Sequence, residues 1–119
     1  MLSIIIPAYN AERTLGKLLD SILASEGLPE PGEYEILLVD DASTDGTRRV
    51  AEEYAERLQL EEQRRGRFLA ASPLTVVRQS PNQGPARARN LGVQRSRGDL
   101  LLFLDADVAL HRDTLRRLL

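Results

Sequence analysis

Leu100-Leu101-Leu102-Phe103-Leu104-Asp105-Ala106-Asp107 is an apolar run that ends in two carboxylates one residue apart. Led in by Gly98-Asp99, such a run predicts a strand buried on both faces. Carboxylates are costly to bury without partners, so Asp105 and Asp107 are expected just past the strand, where the chain surfaces. In an open parallel α/β sheet, ligands bind at the carboxyl ends of the strands. Alternate residues of extended chain point the same way, so the two side chains can converge on one object. Two hard oxygen donors with room left for water and phosphate suit Mg2+ or Mn2+. Alone, an Asp-x-Asp tripeptide is too short to decide the matter, and its usual reading is a solvated acidic loop.

The bulk properties narrow the field. A chain of 119 residues fits one compact domain, 1–119, with a single core. With 42% hydrophobic and 29% charged residues, the composition is that of a folded rather than a disordered chain. A net charge of −2, with both signs interspersed, gives no electrostatic footprint for nucleic acid. The chain has no cysteine, which excludes a disulfide framework and thiolate metal sites. No apolar run reaches the length of a bilayer span, and no basic region precedes an apolar leader. A cytoplasmic domain is therefore expected, with membrane association only through parts outside this sequence.

Read in order, strands and helices alternate. Leu2–Ile6, closed by Pro7, predicts the first strand, with Pro7-Ala8-Tyr9-Asn10 as the loop after it and Asn10 as an N-cap. Leu15, Leu18, Leu19, Ile22 and Leu23 carry helical spacing, ended by Gly27 and Pro29-Glu30-Pro31-Gly32. Ile36–Val39 is a strand that runs into Asp40-Asp41-Ala42-Ser43-Thr44-Asp45-Gly46-Thr47, where Thr44 or Asp45 can cap the next helix. That helix has an apolar stripe of Val50, Ala51, Tyr54, Ala55 and Leu58, and Glu52, Glu53, Arg57, Glu61 and Glu62 are expected in solvent. Gln63–Ser72, with Arg64-Arg65-Gly66-Arg67, reads as a solvated loop. Leu74–Val77 is a short strand. Pro85 suits the first position of a third helix, whose Ala88, Leu91 and Gly92 allow close packing on a sheet. A last helix carries Asp113 or Thr114 near its start and Leu115, Leu118 and Leu119 along it.

The alternation implies an α/β fold: a parallel sheet with helices on both faces and all strand carboxyl ends on one edge. That edge would collect Pro7-Ala8-Tyr9-Asn10, Asp40-Asp41 and Asp105-x-Asp107. Four carboxylates in one place repel unless a cation or hydrogen-bond donors offset them. A metal, a ribose diol and a base edge would do so together, and Arg87 and Arg89 enter near a helix start that favours an anion. The residues thus read as a cleft for a nucleoside diphosphate and a divalent cation.

Four segments in this order resemble the family 2 glycosyltransferases, inverting enzymes of the GT-A fold. They are Ser3–Asn10, Ile36–Thr47, Asn82-Gln83-Gly84 with Ala88-Arg89-Asn90-Leu91-Gly92, and Asp105-Ala106-Asp107. The resemblance implies the Rossmann-like nucleotide-binding half of that fold. It implies a nucleotide-diphospho-sugar donor, with UDP favoured, a hydroxyl acceptor, and Mn2+ or Mg2+. Pro7 and Tyr9 would line the base pocket, Asp41 would accept a hydrogen bond from the base, and Asp105 would hold the ribose or a metal-bound water. Asp107 would ligate the metal, and Arg89 and Asn90 would shape the site. Asp40 reads as a loop acid ordering the Ser43–Thr47 turn, Arg87 as pocket or surface, Gly84 and Gly92 as backbone requirements, and His111 as solvated.

In the resembling family a carboxylate base removes the acceptor proton, and it comes from a later motif, here expected beyond Leu119. The single domain is thus expected to be a truncated half that transfers sugar poorly alone. The sheet edge left open without later strands is expected to favour self-association. A non-catalytic nucleotide-binding or interaction module on the same fold is the competing reading. A receiver domain would carry its acid pair after the first strand, and a sugar nucleotidyltransferase needs a glycine-rich basic loop there. Pro7-Ala8-Tyr9-Asn10 is neither.

Overall fold

Leu2-Ser3-Ile4-Ile5-Ile6-Pro7-Ala8 forms strand β1, and every one of its residues is buried. β-branched side chains on both sides of a strand need cover on both faces, so β1 lies inside the sheet. The computed structural model describes residues 1–67 and 71–119. Its elements alternate as expected: β1, α1 (Leu15–Leu23), β2 (Tyr34–Asp40), α2 (Thr47–Arg64), β3 (Leu74–Arg78), α3 (Pro85–Arg95), β4 (Leu100–Phe103) and α4 (Thr114–Leu118). The four strands are parallel in the order β3-β2-β1-β4. The register sets Leu2 opposite Tyr34 and Leu100, and Ile5 opposite Leu37 and Phe103. Because β4 stops at Phe103, Pro7 lies past the ladder on that side, where its missing N–H costs nothing.

One face of the sheet, with Leu2, Ile4, Ile6, Ile36, Leu38 and Leu74, packs under α1 and α2 as the main core. The Tyr54 hydroxyl locks these helices together by donating to Asp20 Oδ1 (2.7 Å), with the Gly16 carbonyl 3.2 Å away as the alternative acceptor. The other face carries α3, with Ala88 and Leu91 against Val39 and Val77. A Cβ on Gly92 would lie 2.5 Å from Ile5 Cγ2, so only glycine lets α3 approach this closely. Beneath α3, buried Glu35 accepts from Ser3 Oγ (2.7 Å), the Arg97 N–H (2.6 Å) and Arg97 Nε (3.3 Å), tying β1 and β2 to the turn after α3. Burial pushes the Glu35 carboxyl up, but these hydrogen bonds outweigh it and hold the group below the usual carboxylate range.

Three expectations are corrected. The Leu100–Leu104 run is not buried on both faces: β4 is an edge strand, Leu100 is 52% exposed and Phe103 44%, and Leu104 lies beyond the strand. Asn10 caps no helix; α1 begins after Thr14, while Asn10 sits at φ 48° and turns its amide oxygen toward Thr44. Glu62 is not solvated. The stripe of α2 runs on through Ala51 and Leu58 to Glu62, which is buried with Arg65 and Arg67 at 3.7 and 3.6 Å. Arg67 also reaches Glu30 at 3.0 Å, so the basic run meets acids of its own chain. The middle of the expected loop, residues 68–70, lies outside the described residues. No helix among the described residues is long and apolar enough to cross a membrane.

Candidate functional site

The sheet order puts the ends of β1 and β4 side by side at the point where the chain reverses its direction of strand addition. A crevice opens at such a switch point because the connections leave on opposite faces. From β1 come Pro7, Tyr9 and Asn10, and from the turn after β4 come Asp105 and Asp107. Pro85, the first residue of α3, closes the rim. Together they line a cleft of about 360 Å³. Leu104 donates to the Ile5 carbonyl (3.0 Å) as the last tie between the two strands. Ala106 then turns inward, 8% exposed, leaving Asp105 and Asp107 on either side of it in solvent.

A second, smaller pocket of about 130 Å³ shares Pro7, Tyr9 and Pro85 with the cleft and adds Ala8 and Asp41. Tyr9 is 52% exposed and offers a ring face at the border of the two. Asp41 is buried, and its position is fixed from three sides. Its Oδ1 accepts from Gln79 Nε2 (2.7 Å) and the Gln83 N–H (2.8 Å), and its Oδ2 accepts from the Gly84 N–H (2.9 Å). Gly84 can offer that N–H because it adopts φ 93°, a conformation that favours glycine. With one donor on Oδ2, the carboxylate keeps acceptor capacity beside the pocket.

The loops that carry Tyr9 and Asp41 are stapled to each other. Ser43 Oγ accepts the Asn10 N–H (3.0 Å), Thr47 Oγ1 accepts the Ala11 N–H (2.8 Å), and Asn10 Oδ1 accepts the Thr44 N–H (2.9 Å). Asp45 accepts the Glu12 N–H (3.3 Å) and the Thr47 N–H (2.9 Å), as well as the Thr47 hydroxyl. A Cβ on Gly46 would lie 2.3 Å from Glu12 Oε1, so the loops meet where there is no side chain. Asp45 therefore anchors the α2 start by binding Thr47 from just outside the helix. Asp40 does order this turn, its Oδ1 accepting the Ser43 N–H at 3.1 Å.

Of the four carboxylates of the strand ends, Asp40 stands apart. It is buried and holds the Ser43 N–H, whereas Asp41 borders the small pocket and Asp105 and Asp107 stand exposed in the larger cleft. Two exposed carboxylates supply hard oxygen donors and leave other positions to water and phosphate oxygens, so the donor set fits Mg2+ or Mn2+ bound with a diphosphate. Among the described residues no group of three or more His, Cys, Asp or Glu could hold a metal unaided.

Pro7, Tyr9, Asp41, Asp105 and Asp107 are brought together. Arg89 and Asn90 are not: Arg89 is half-buried on α3 and lines neither pocket, and Asn90 faces a separate groove with Arg78 and Arg87. His111 is exposed. Gln79 and Gln83, the holders of Asp41, escaped the sequence reading. Their only signal was the Asn82-Gln83-Gly84 turn, which does not name its acceptor 41–43 residues earlier.

Against known proteins the same architecture recurs. The family described as Glycosyl transferase family 2 matches residues 3–119. The poly(ribitol-phosphate) beta-N-acetylglucosaminyltransferase TarS of Staphylococcus aureus is 33% identical over 114 residues, 96% of this chain and 17% of that protein. Glycosyltransferase AglE of Haloferax volcanii is 33% identical over 115 residues, 97% of this chain and 33% of that one. The crystal structure of S. aureus TarS 1–349 with UDP superposes with a TM-score of 0.78 at 29% identity, covering 98% of this chain and 30% of that one. A mannosyltransferase from Pyrobaculum calidifontis in complex with GDP-Man and Mn2+ gives 0.78 at 31%, covering 96% and 30%. The chain thus spans a third or less of these relatives, and over that span their fold is its fold: it belongs to glycosyl transferase family 2.

Proposed function

We propose that this chain binds a nucleotide-diphospho-sugar, with UDP as the nucleotide, and a divalent cation for inverting transfer of the sugar to an acceptor hydroxyl. The observation that carries the reading is the paired cavity. A small pocket with an acceptor at its wall opens into a larger cleft with two free carboxylates. The base enters the small pocket beside Tyr9 and Pro7, and Asp41 accepts its ring N–H. Asp105 takes the ribose or a metal-bound water, and Asp107 ligates the cation. When bound, Mn2+ or Mg2+ supplies Lewis-acid stabilisation of the leaving diphosphate. Arg89 and Asn90 keep only a shaping role, through the helix that Pro85 opens. Support also comes from the relatives, whose structures include complexes with UDP, UDP-GlcNAc, and GDP-Man with Mn2+.

The cleft holds no third carboxylate, so the base that takes the acceptor proton comes from outside these residues. We assign the reaction to the cytoplasm, with any membrane association through parts outside this sequence. Calorimetric titration with UDP, with and without Mn2+, tests the reading. We expect Mn2+-dependent binding that weakens about tenfold or more in Asp107→Ala, since a direct charged ligand is lost. Binding indifferent to both Mn2+ and Asp107 would sink the assignment.

A further inference from the structure

Along α3, Arg87, Asn90 and Gln94 recur at helical spacing on the side turned away from Gly92 and Ala88, which pack on the sheet, with Leu91 at the border between the two sides. This stripe faces the end of β3, where Arg78 and Gln79 lie, and the turn that carries Gln83. Between them is a groove of about 580 Å³, separate from the paired cavity around Tyr9. Its chemistry is one-sided. Two guanidiniums and four carboxamides line it, and no carboxylate does. Many of the chain's other arginines lie against acids: Arg48 against Glu52, Arg49 against Glu12, Arg57 against Asp20, Arg97 against Glu35. Neither Arg78 nor Arg87 forms an ion pair among the described residues, and Arg87 Nη1 has only the Gln83 amide oxygen at 3.3 Å. In a chain of net charge −2, two unpaired guanidiniums sharing one groove are a local reversal of sign.

We propose that this groove binds a phosphate-bearing ligand outside the donor cleft. A guanidinium fork matches phosphate oxygens bidentately, and carboxamide N–H groups can satisfy the remaining oxygens without adding charge. The volume exceeds that of one phosphate, and the carboxamides and Ser80 can bond hydroxyls beside it, so the class that fits is a phosphate carried on a polyol or glycerol unit. The groove is also wired to the paired cavity. Gln79 lines it and donates Nε2 to Asp41, and Gln83 lines it and donates its backbone N–H to the same carboxylate. A ligand that draws on either glutamine is felt at Asp41.

The test is a titration of the chain with glycerol 3-phosphate, followed by NMR at the Arg78 and Arg87 Nε–H signals. Saturable shifts at both are expected, absent with glycerol alone. Affinity should fall about tenfold or more in the Arg78→Gln, Arg87→Gln double variant, whose exposed positions leave the core untouched. Binding should persist in Asp107→Ala, which separates this groove from the donor cleft. Co-sedimentation with phosphatidylglycerol vesicles, lost in the double variant, would assign the phosphate to a lipid headgroup; glycerol phosphate binding without it assigns a soluble or polymeric source. No saturable shift at either arginine, or equal affinity in the double variant, overturns the proposal.

Discussion

Thr47 is where the two loops at the head of the sheet meet. It is fully buried, accepts the Ala11 N–H and gives its hydroxyl proton to Asp45. Thr47→Val keeps the shape and strands the Ala11 donor, so urea denaturation should show a loss of about 1–3 kcal/mol, largely recovered by Thr47→Ser. Glu35 makes a different prediction. Its folded value is held below the ordinary 4.5, so its contribution to stability is present above that pH and is lost as pH falls through the folded value. In Glu35→Gln, stability measured across this acid range should depend less steeply on pH than in the parent chain; equal slopes would show that Glu35 contributes nothing. The two residues differ in how far the sequence revealed them. Thr47 sits in an Asp/Ser/Thr/Gly cluster that announces a hydrogen-bonded turn. Glu35 interrupts an apolar run with nothing nearby to explain it, because its partners Ser3 and Arg97 lie 32 and 62 residues away.

At the scale of elements, period and punctuation located all eight segments, because each strand is a short apolar run closed by acids, proline or glycine. What periodicity cannot state is neighbourhood. The run of β4 is as apolar as that of β1, and only the strand order decides which of them is covered on both sides. Glu62 fails for a related reason: a helical stripe continues geometrically whatever residue stands in it, and here two arginines make the buried acid tolerable. The exposed β4 edge carries a proposal of its own. Its backbone, unpaired among the described residues and beside Leu100 and Phe103, should drive concentration-dependent self-association in sedimentation velocity. Phe103→Lys, a charge on that edge, should weaken it. Equal sedimentation across concentrations in the parent chain would exclude the edge as a contact.

At the scale of the molecule, the residues at the strand ends were legible in the sequence and those on α3 were not. Pro7, Tyr9, Asp41, Asp105 and Asp107 lie at or shortly after the carboxyl ends of strands, and parallel strands deliver those ends to one edge whatever the details of packing. Arg89 and Asn90 sit on a helix, where a shift of one residue turns a side chain by about 100°, so motif position alone did not fix the groove they face. With two carboxylates in the cleft and none left to act as base, the chain alone should show no transfer of sugar from a UDP-sugar to added acceptors above background. Robust transfer abolished by Asp107→Ala would show that the base is present after all.

The interior place of β1 also sets a timetable. β1 is paired with β2 on one side and with β4, which begins at Leu100, on the other, so β1 waits for β4. At about 5–20 residues per second of synthesis, that is roughly 5–20 s during which β1 and β2 can pair and gather α1 and α2 on one face. The flank of Ile4 and Ile5 that β4 will occupy has no occupant in that interval. A nascent chain of this design carries a vacant strand position at its centre, and the cell's holding chaperones are where that vacancy would register.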